Sequence, residues 1–355
     1  MNRAVQAAFC IGALAAALLL LAQAQSWVPR NRSVQLTGIN ISGAEFNSDN
    51  LPGVHGRNYI YPKLSTIQYF AAKGMNVIRL PLAWERLQHQ LTAKIDEIEM
   101  RRVDAVVNIA GKNGMKIIID VHNYARYFGA VVGSPSLPIS ALGDLWRQIA
   151  ARYNGNDLVI FGLMNEPHEI STETWLEAAN IAIAEIRRMG ARNLILVPGN
   201  DWSSARRWSS THYGTPNSIA MLNVVDPGRN NVFEVHQYFD RDYSGMHREC
   251  QHVDVGVESL AEFTRWARAN SKQGFLGEFG MGADPNCLEV LDRVLKFMAD
   301  NNDVWLGWTY WAAGALWPRD YFTNLEPHNG QDPPPQMSVI QKYTRYDGPA
   351  QTRPQ

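Results

Sequence analysis

Two glutamates follow apolar segments that have the composition of buried strands. Glu166 stands in LVIFGLMNEPHE, where an apolar run ends in Asn165, Glu166 and Pro167. Glu278 stands in GFLGEFG, after a second short apolar stretch. Each could form an ordinary ion pair with Arg79 or another cation, but two in matching positions indicate chemistry. Glycoside hydrolysis needs such a pair, with one protonated and one ionised carboxyl group beside the bond that breaks.

Further polar and aromatic side chains follow the other apolar segments at corresponding positions. A single histidine at a strand end is more often structural, and an arginine there can be a salt-bridge partner, so none of them is decisive alone. As a set they are hard to explain as packing, because buried charges cost free energy unless they are paired or used. The set comprises Arg79, His122, Asn123, Asn165, Asn200, Trp202, His236, Tyr238 and Trp311.

Eight short segments rich in Val, Ile and Leu alternate with helical stretches. The predicted strands are 36–43, 75–82, 116–123, 158–166, 193–200, 232–239, 274–280 and 304–312. Apolar residues at three- and four-residue spacing predict helices over 63–74, 99–114, 174–190 and 288–301. Apolar strands alternating with helices favour a parallel sheet covered on both faces. We predict an α/β fold, a single-domain (β/α)8 TIM barrel, with chemistry at the C-terminal ends of the strands. An open doubly wound sheet is the alternative, but no G-x-G-x-x-G follows the first strand.

The first residues have the pattern of a secretory signal peptide. Arg3 precedes an apolar run, and Ala22-Gln23-Ala24 has the small-x-small form of a cleavage site. We predict cleavage after Ala24; the alternative is an uncleaved membrane anchor, although the run is short for a full span. The predicted organisation is a signal peptide over 1–24, one catalytic domain over 25–345 and a flexible tail over 346–355. The mature protein is expected to be a soluble monomer, periplasmic or extracellular.

The composition and the cysteines limit the classes of ligand and the kinds of site that the chain could have. The formal net charge of -1 gives no electrostatic footprint for nucleic acid, and the 11 tryptophans fit stacking on sugar rings as well as core packing. After signal cleavage Cys250 and Cys287 remain, an even pair that indicates a disulfide in an exported protein. A metal site at Cys250 with His247 and His252 is the competing interpretation, but the spacing matches no common zinc pattern. We expect no metal and no other cofactor.

The motifs together resemble glycoside hydrolase family 5, and most closely its endo-β-1,4-glucanase (cellulase) branch. The resemblance runs from about Gly38 to Ile340 in family order, through GINISGAEF, RLPLAWERL, IIIDVHNY, FGLMNEPH, VFEVHQYFD, LGEFG, WTYWAAGALW and LWPRDYFTNLEPHNG. It implies a barrel enzyme that hydrolyses a β-glucan by a retaining double displacement without a cofactor. HRECQH and PNC resemble the disulfide-bearing loops of that branch, which implies a Cys250–Cys287 bridge.

The resemblance also implies a role for each matching residue. Glu166 would be the general acid/base and Glu278 the nucleophile, with the carboxyl groups about 5 to 5.5 Å apart, as in retaining enzymes. Arg79 would keep Glu278 ionised, Tyr238 would donate a hydrogen bond to it, and Asn165 would bind the 2-hydroxyl of the sugar. The remaining implied contacts are His122 and His236 lining the sugar site and supporting the acid/base, Trp311 as the floor for the sugar before the scissile bond, and Trp202 and Trp317 at further subsites.

Three other functions remain open. The same fold and mechanism could act on another β-glycan, such as mannan, xyloglucan or mixed-linkage glucan, because loops around the subsites set specificity. A non-catalytic carbohydrate-binding barrel would need the tryptophans but not both glutamates. A metal-dependent barrel hydrolase would need a clustered His/Asp set at the strand ends. Without a recognisable linker and carbohydrate-binding module, soluble or amorphous β-glucans are the expected substrates.

Overall fold

A computed structural model describes residues 33–327 and 332–344, which lie within one compact unit. The predicted signal peptide over 1–24 and the predicted tail over 346–355 lie outside the described residues. In the part that is described, no helix combines the length and the apolar character that crossing a bilayer requires.

The described strands build a closed barrel and one small hairpin. Neighbouring barrel strands are parallel, in the order β1-β10-β9-β8-β7-β6-β3-β2, and β2 pairs with β1 to close the ring. The short strands β4 and β5 form an antiparallel hairpin in the loop that follows β3. The strands are β1 Leu36–Ile41, β2 Val77–Leu82, β3 Lys116–Val121, β4 Arg126–Tyr127, β5 Ala130–Val131, β6 Val159–Gly162, β7 Ile195–Pro198, β8 Asn231–His236, β9 Gly274–Glu278 and β10 Trp305–Ala313.

Helices connect successive barrel strands and cover the outside of the barrel. The four predicted helices are present, and further helices complete the alternation. Gly74, Gly114 and Gly190, which follow three of them, have positive φ angles of 84°, 71° and 77°, as expected for glycines that end helices. The described helices are Leu64–Ala72, Trp84–Leu87, Glu97–Lys112, Ser140–Tyr153, Thr172–Arg188, Asn217–Ala220, Val255–Ala269, Pro285–Asp300 and Pro335–Ile340, with 3-10 turns at Met221–Asn223 and Gln341–Tyr343. The predicted TIM barrel is confirmed.

The inside of the barrel has an apolar layer at one end and a charged layer above it. Each barrel strand contributes one side chain to the apolar layer, which consists of Leu36, Val77, Ile118, Ile160, Leu196, Val232, Phe275 and Leu306. Side chains two residues apart on a strand point to the same face. Arg79, Asp120 and Glu234 therefore stand one step above Val77, Ile118 and Val232, at the C-terminal end of the barrel. The alternation of the strands builds a dry base under a buried set of charges.

Two predicted positions differ from what the structure shows. Arg79 was expected at the end of its strand, but it lies inside β2, which continues to Leu82. The strand that precedes Glu166 ends at Gly162, so Asn165 and Glu166 belong to the loop that follows and Pro167 does not end the strand. Glu166 has a φ of 41°, in the left-handed region. The predicted strand end was wrong because the backbone leaves the barrel at Gly162 and turns before it reaches Pro167.

Candidate active site

The two predicted catalytic glutamates meet at the mouth of the barrel. Glu278 is the last residue of β9, and Glu166 lies in the loop after β6. One oxygen of each carboxylate, together with one ring nitrogen of His236, falls within a group whose atoms lie within 4.8 Å of one another. The side chain of Glu278 is 5% exposed and that of Glu166 is 15% exposed, so Glu166 is the more accessible of the two.

Arg79 is the fully buried cation of this site. Its Nη1 donates to Glu278 Oε1 at 2.8 Å, its Nε lies 2.8 Å from Glu234 Oε1, and its Nη2 lies 3.2 Å from Asp120 Oδ1. It also donates to the amide oxygen of Asn40 at 3.0 Å. Burial disfavours the charged guanidinium, but the carboxylates around it outweigh burial and raise the pKa of Arg79. A permanent positive charge therefore faces one oxygen of Glu278.

Tyr238 holds the other oxygen of Glu278. Its hydroxyl donates to Glu278 Oε2 at 3.0 Å. Burial, with the nearby charge of Glu278, raises the pKa of Tyr238 well above its ordinary value, so the phenol keeps its proton. Both oxygens of Glu278 therefore have a fixed donor, which orients the carboxylate.

His236, at the end of β8, joins the two glutamates. Its Nδ1 lies 2.8 Å from Glu166 Oε1 and 3.8 Å from Glu278 Oε2, and its Nε2 lies 3.3 Å from Glu234 Oε1. Burial lowers the pKa of His236, but the charges and hydrogen bonds of Glu278, Glu166 and Glu234 outweigh it and raise that pKa to about 10. His236 is therefore an imidazolium at neutral pH, with both ring nitrogens donating.

His122 follows β3 directly and contacts different groups. Its Nδ1 lies 2.7 Å from Asp120 Oδ2, two residues earlier in the chain, and its Nε2 lies 3.3 Å from the hydroxyl of Tyr124. Burial is outweighed by Asp120, so the pKa of His122 is raised. Its ring stacks on Trp311 at a centroid distance of 5.6 Å. It lines the site beside Trp311, and its hydrogen-bond partners do not include Glu166.

Asn165 has one half of its amide engaged and the other half free. Its Oδ1 accepts from Arg79 Nη2 at 2.8 Å, which fixes the orientation of the amide group. Its Nδ2 is buried and has no hydrogen-bond partner among the described residues. A buried donor without a partner is costly unless a ligand satisfies it.

A cavity of about 700 Å³ opens over these residues. Trp311, Trp317 and Tyr321 lie on one side of it; Trp317 and Tyr321 are stacked at 4.2 Å, and Trp311 Nε1 donates to the Tyr321 hydroxyl. On the other side Trp202, which is 39% exposed, stacks on His168 at 4.5 Å. The tryptophans expected at subsites thus flank the glutamates from two directions, with flat rings suited to pyranose faces.

The structure separates the remaining predicted polar positions from this cavity. Asn123 caps the helix Trp84–Leu87, because its Oδ1 accepts from Trp84 N and its Nδ2 donates to Glu85. Asn200 donates to the carbonyl of Ile170 at 2.6 Å and accepts from its neighbouring backbone amide. Both hold loops and have no place in the site.

Two site carboxylates, Asp120 and Glu234, were not predicted. Each lies on a barrel strand two residues before a predicted histidine that it contacts, in IIIDVHN and VFEVHQYF. A charged residue inside an otherwise apolar strand was the available signal, since a strand places residues i and i+2 on one face. Gly277 leaves room for Glu234, because a Cβ there would lie 2.1 Å from Glu234 Oε1.

Cys250 and Cys287 form the predicted disulfide, with Cα atoms 5.3 Å apart. The alternative zinc site at Cys250 is therefore wrong: the sulfur is bonded, and His247 and His252 instead lie 3.2 Å from Asp242 and 3.6 Å from Glu258. The group Glu166, His236 and Glu278 has the residue types of a metal site. In the structure, His236 Nδ1 is bonded to Glu166 and Oε1 of Glu278 is bonded to Arg79.

Comparison with known proteins agrees with this site. The family model described as cellulase, glycosyl hydrolase family 5, matches residues 34–314. The endo-beta-1,4-glucanase B of Aspergillus niger is 34% identical over 339 residues, which cover 95% of this chain and 99% of that protein. The crystal structure of an endo-beta-1,4-glucanase from Xanthomonas axonopodis pv. citri is 44% identical, with a TM-score of 0.87, and covers 88% of this chain and 99% of that one.

A further solved structure contains a sugar ligand. XacCel5A in complex with cellopentaose is 46% identical, with a TM-score of 0.86, and covers 87% of this chain and 99% of that one. The predicted family is thereby confirmed by sequence and by structure along most of the chain. The chain is a glycoside hydrolase, and it belongs to glycosyl hydrolase family 5, the cellulase family.

Proposed function

We propose that this protein is a secreted, retaining endo-β-1,4-glucanase in which Glu278 is the nucleophile and Glu166 the general acid/base. The observation that carries the proposal is the short separation of the two carboxylates, with an oxygen of each in a group spanning 4.8 Å. Retaining enzymes keep their carboxyl groups about 5 to 5.5 Å apart, whereas inverting enzymes need about 6.5 to 9.5 Å to admit a water molecule.

In the first step, Glu278 attacks the anomeric carbon while Glu166 gives a proton to the leaving oxygen. Arg79 and Tyr238 hold both oxygens of Glu278, so the carboxylate does not reorganise as it attacks. His236 occupies Oε1 of Glu166, which leaves Oε2 to carry the transferred proton. The products are a glycosyl–Glu278 ester, the released chain and an ionised Glu166.

In the second step, Glu166 removes a proton from water, which attacks the anomeric carbon and releases Glu278. The free Nδ2 of Asn165 supports a hydrogen bond to the sugar 2-hydroxyl, because no group within residues 33–327 and 332–344 satisfies that donor. Trp311 and His122, which are stacked, give the sugar before the scissile bond a flat support. Trp317 and Trp202 extend that support in opposite directions.

Chemical rescue tests the nucleophile. Glu278→Ala should lower kcat by at least about 10⁴-fold, and added azide should restore part of the activity and give the α-glycosyl azide. Glu166→Ala should instead give a β-glycosyl azide when a substrate with a good leaving group is used. Unchanged activity in Glu278→Ala would overturn the assignment. An initially α-configured product from a β-linked glycan, seen by proton NMR, would exclude retention.

Initial rates on a panel of polysaccharides test the substrate. We expect the fastest hydrolysis on amorphous or substituted β-1,4-glucan, and slower hydrolysis of mannan, xyloglucan, mixed-linkage glucan and laminarin. An endo mode of cleavage should lower viscosity well before reducing ends accumulate. Fastest turnover of mannan would end the glucanase assignment.

We also propose that the chain is exported and acts as a monomeric single catalytic domain over 25–345. The Cys250–Cys287 disulfide supports export, since such bonds persist in oxidising compartments. N-terminal sequencing of protein recovered outside the cytoplasm should begin at Gln25. An intact Met1 in that fraction would contradict cleavage after Ala24, and light scattering would test the monomer.

A further inference from the structure

Two loops contribute several residues to the wall of the cavity. One follows β7 and carries Trp202, Arg206 and Arg207; the other follows β8 and carries Tyr243. The guanidinium of Arg206 lies over the ring of Tyr243 at 4.2 Å, so the two loops meet through a cation–π contact. We call this pair, Arg206 with Tyr243, the cationic platform.

The cationic platform is held in place by both loops. The backbone amide of Arg206 donates to Gln237 Oε1 at 3.0 Å. On the other loop, the carboxylate of Asp240 accepts from the backbone amides of Gly245 and His247, both at 3.0 Å. The disulfide from Cys250 then ties the end of that loop to the helix Pro285–Asp300. Tyr243 is thus presented by a braced loop.

Arg206 differs from the other charged groups of the cavity wall. Arg207 is paired with Asp201 at 2.8 Å, and Asp242 lies 3.2 Å from His247. Glu166 and Glu278 are bonded to His236 and Arg79 as described above. Arg206 is exposed, and its guanidinium has no carboxylate partner and no protein acceptor in the part of the chain that the structure describes.

We propose that the cationic platform binds a carboxylate substituent on the β-1,4-glucan chain, so that the enzyme acts preferentially on acidic, carboxylate-bearing glucans. This inference rests on the proposed glucanase function and names the substrate class of the same cavity. A guanidinium with free N–H groups matches a carboxylate through paired hydrogen bonds. Tyr243 lies under one face of Arg206 and leaves its edge to the ligand. Arg206 lies on the same loop as Trp202, four residues later, and both line the cavity.

Carboxymethylcellulose and hydroxyethylcellulose, one anionic and one neutral, provide the test. The readout is the ratio of kcat/KM on the first to kcat/KM on the second, in low salt. Arg206→Gln should lower this ratio about fivefold, the effect expected for one accessible charge pair, while Arg206→Lys should retain part of it. Added NaCl should lower the ratio of the unsubstituted enzyme toward that of Arg206→Gln.

Arg241→Gln is the matched control, because Arg241 is exposed on the loop that carries Tyr243, has no ion pair in the described part of the chain and does not line the cavity. It removes the same net charge and should leave the ratio unchanged. An equal fall for Arg206→Gln and Arg241→Gln would show only long-range attraction and overturn the proposal, as would an unchanged ratio in Arg206→Gln.

Affinity electrophoresis of Glu278→Gln in gels containing either polymer separates this inference from the proposed function. Retardation by carboxymethylcellulose that is lost on adding Arg206→Gln supports the platform even if no substrate is hydrolysed. If both polymers are hydrolysed and the double variant is retarded as before, the proposed role of the cationic platform is wrong and the proposed glucanase function is unaffected.

Discussion

At the scale of single residues, the site depends on two buried carboxylates that do not line the cavity. Glu234 contacts both Arg79 and His236, and Asp120 contacts both Arg79 and His122. Their charges contribute to raising the pKa values of the two histidines against the effect of burial. Because His236 contacts Glu166, the protonation of the side chains at the cavity depends on carboxylates that lie deeper in the barrel. Glu234 is in this sense a positioning residue.

Glu234→Gln tests this role through a pH profile. Loss of the Glu234 charge removes one of the causes that raise the pKa of His236, so His236 should lose its proton at lower pH. We expect the alkaline limb of kcat/KM to move toward neutral pH, whereas Glu234→Asp, which keeps the charge, should restore most of it. A uniform fall in rate at every pH in Glu234→Gln would indicate a structural role alone.

At the scale of elements, the loop after β8 connects surface residues to Glu278. Gly245 has a φ of 74°, and a Cβ there would lie 2.5 Å from Cδ1 of Tyr238, the residue that donates to Glu278. The close approach of backbone to ring therefore requires glycine at this position. The loop that carries Tyr243 of the cationic platform thus also packs against Tyr238.

Gly245→Ala should displace Tyr238 and lower kcat/KM by about tenfold or more, because small misplacements of catalytic groups are costly. Gly56→Ala is the control, since Gly56 has a φ of 83° and nothing within 4 Å of an added Cβ. It should cost about 1 kcal/mol of stability from backbone strain and leave kcat/KM unchanged. Equal activities of the two variants would contradict the account.

Removal of the disulfide should act on stability first. Replacing Cys250 and Cys287 together by alanine releases a closure with a sequence separation of 37 residues. The chain-entropy model gives a loss of about 4 kcal/mol in the free energy of unfolding, measurable by urea unfolding. A double variant as stable as the parent protein would show that the bridge contributes no chain restriction.

At the scale of the whole molecule, stability should depend on the protonation of the buried histidines. The pKa of His236 is raised in the folded state to about 10 from an ordinary value of 6.5, and that of His122 is also raised. A raised folded pKa stabilises the fold fully below the unfolded pKa and is lost as pH rises through the folded pKa. The free energy of unfolding should therefore fall between about pH 6.5 and pH 10.

Urea unfolding across that range checks the prediction. The loss should be on the order of a few kcal/mol, since one pKa unit corresponds to about 1.4 kcal/mol. His236→Gln should lose less free energy over the same range than the unsubstituted protein. Parallel curves for the two would mean that His236 gains no proton affinity on folding.

The sequence predicted the barrel and most of the site because both depend on local patterns. Apolar strands alternating with helices identified the fold, and motifs around Glu166 and Glu278 predicted the two glutamates that the structure brings together. The position of a residue within its strand was harder to predict. Arg79 lies inside β2, where it pairs with Asp120 and Glu234, and the sequence pattern does not show such pairing between separate strands. The contact of Arg206 with Tyr243 also joins two loops whose conformations the sequence pattern does not encode.

The contacts of Arg79 link the active site to the correct assembly of the barrel. Its guanidinium contacts side chains from β1, β3, β8 and β9 and from the loop after β6. Five separate parts of the chain must therefore be in register before these contacts are complete. A strand that slips by one residue would leave that charge stranded in a dry interior. The active site therefore forms only when the strands are in the correct register, and enzymatic activity reports that the barrel has assembled correctly.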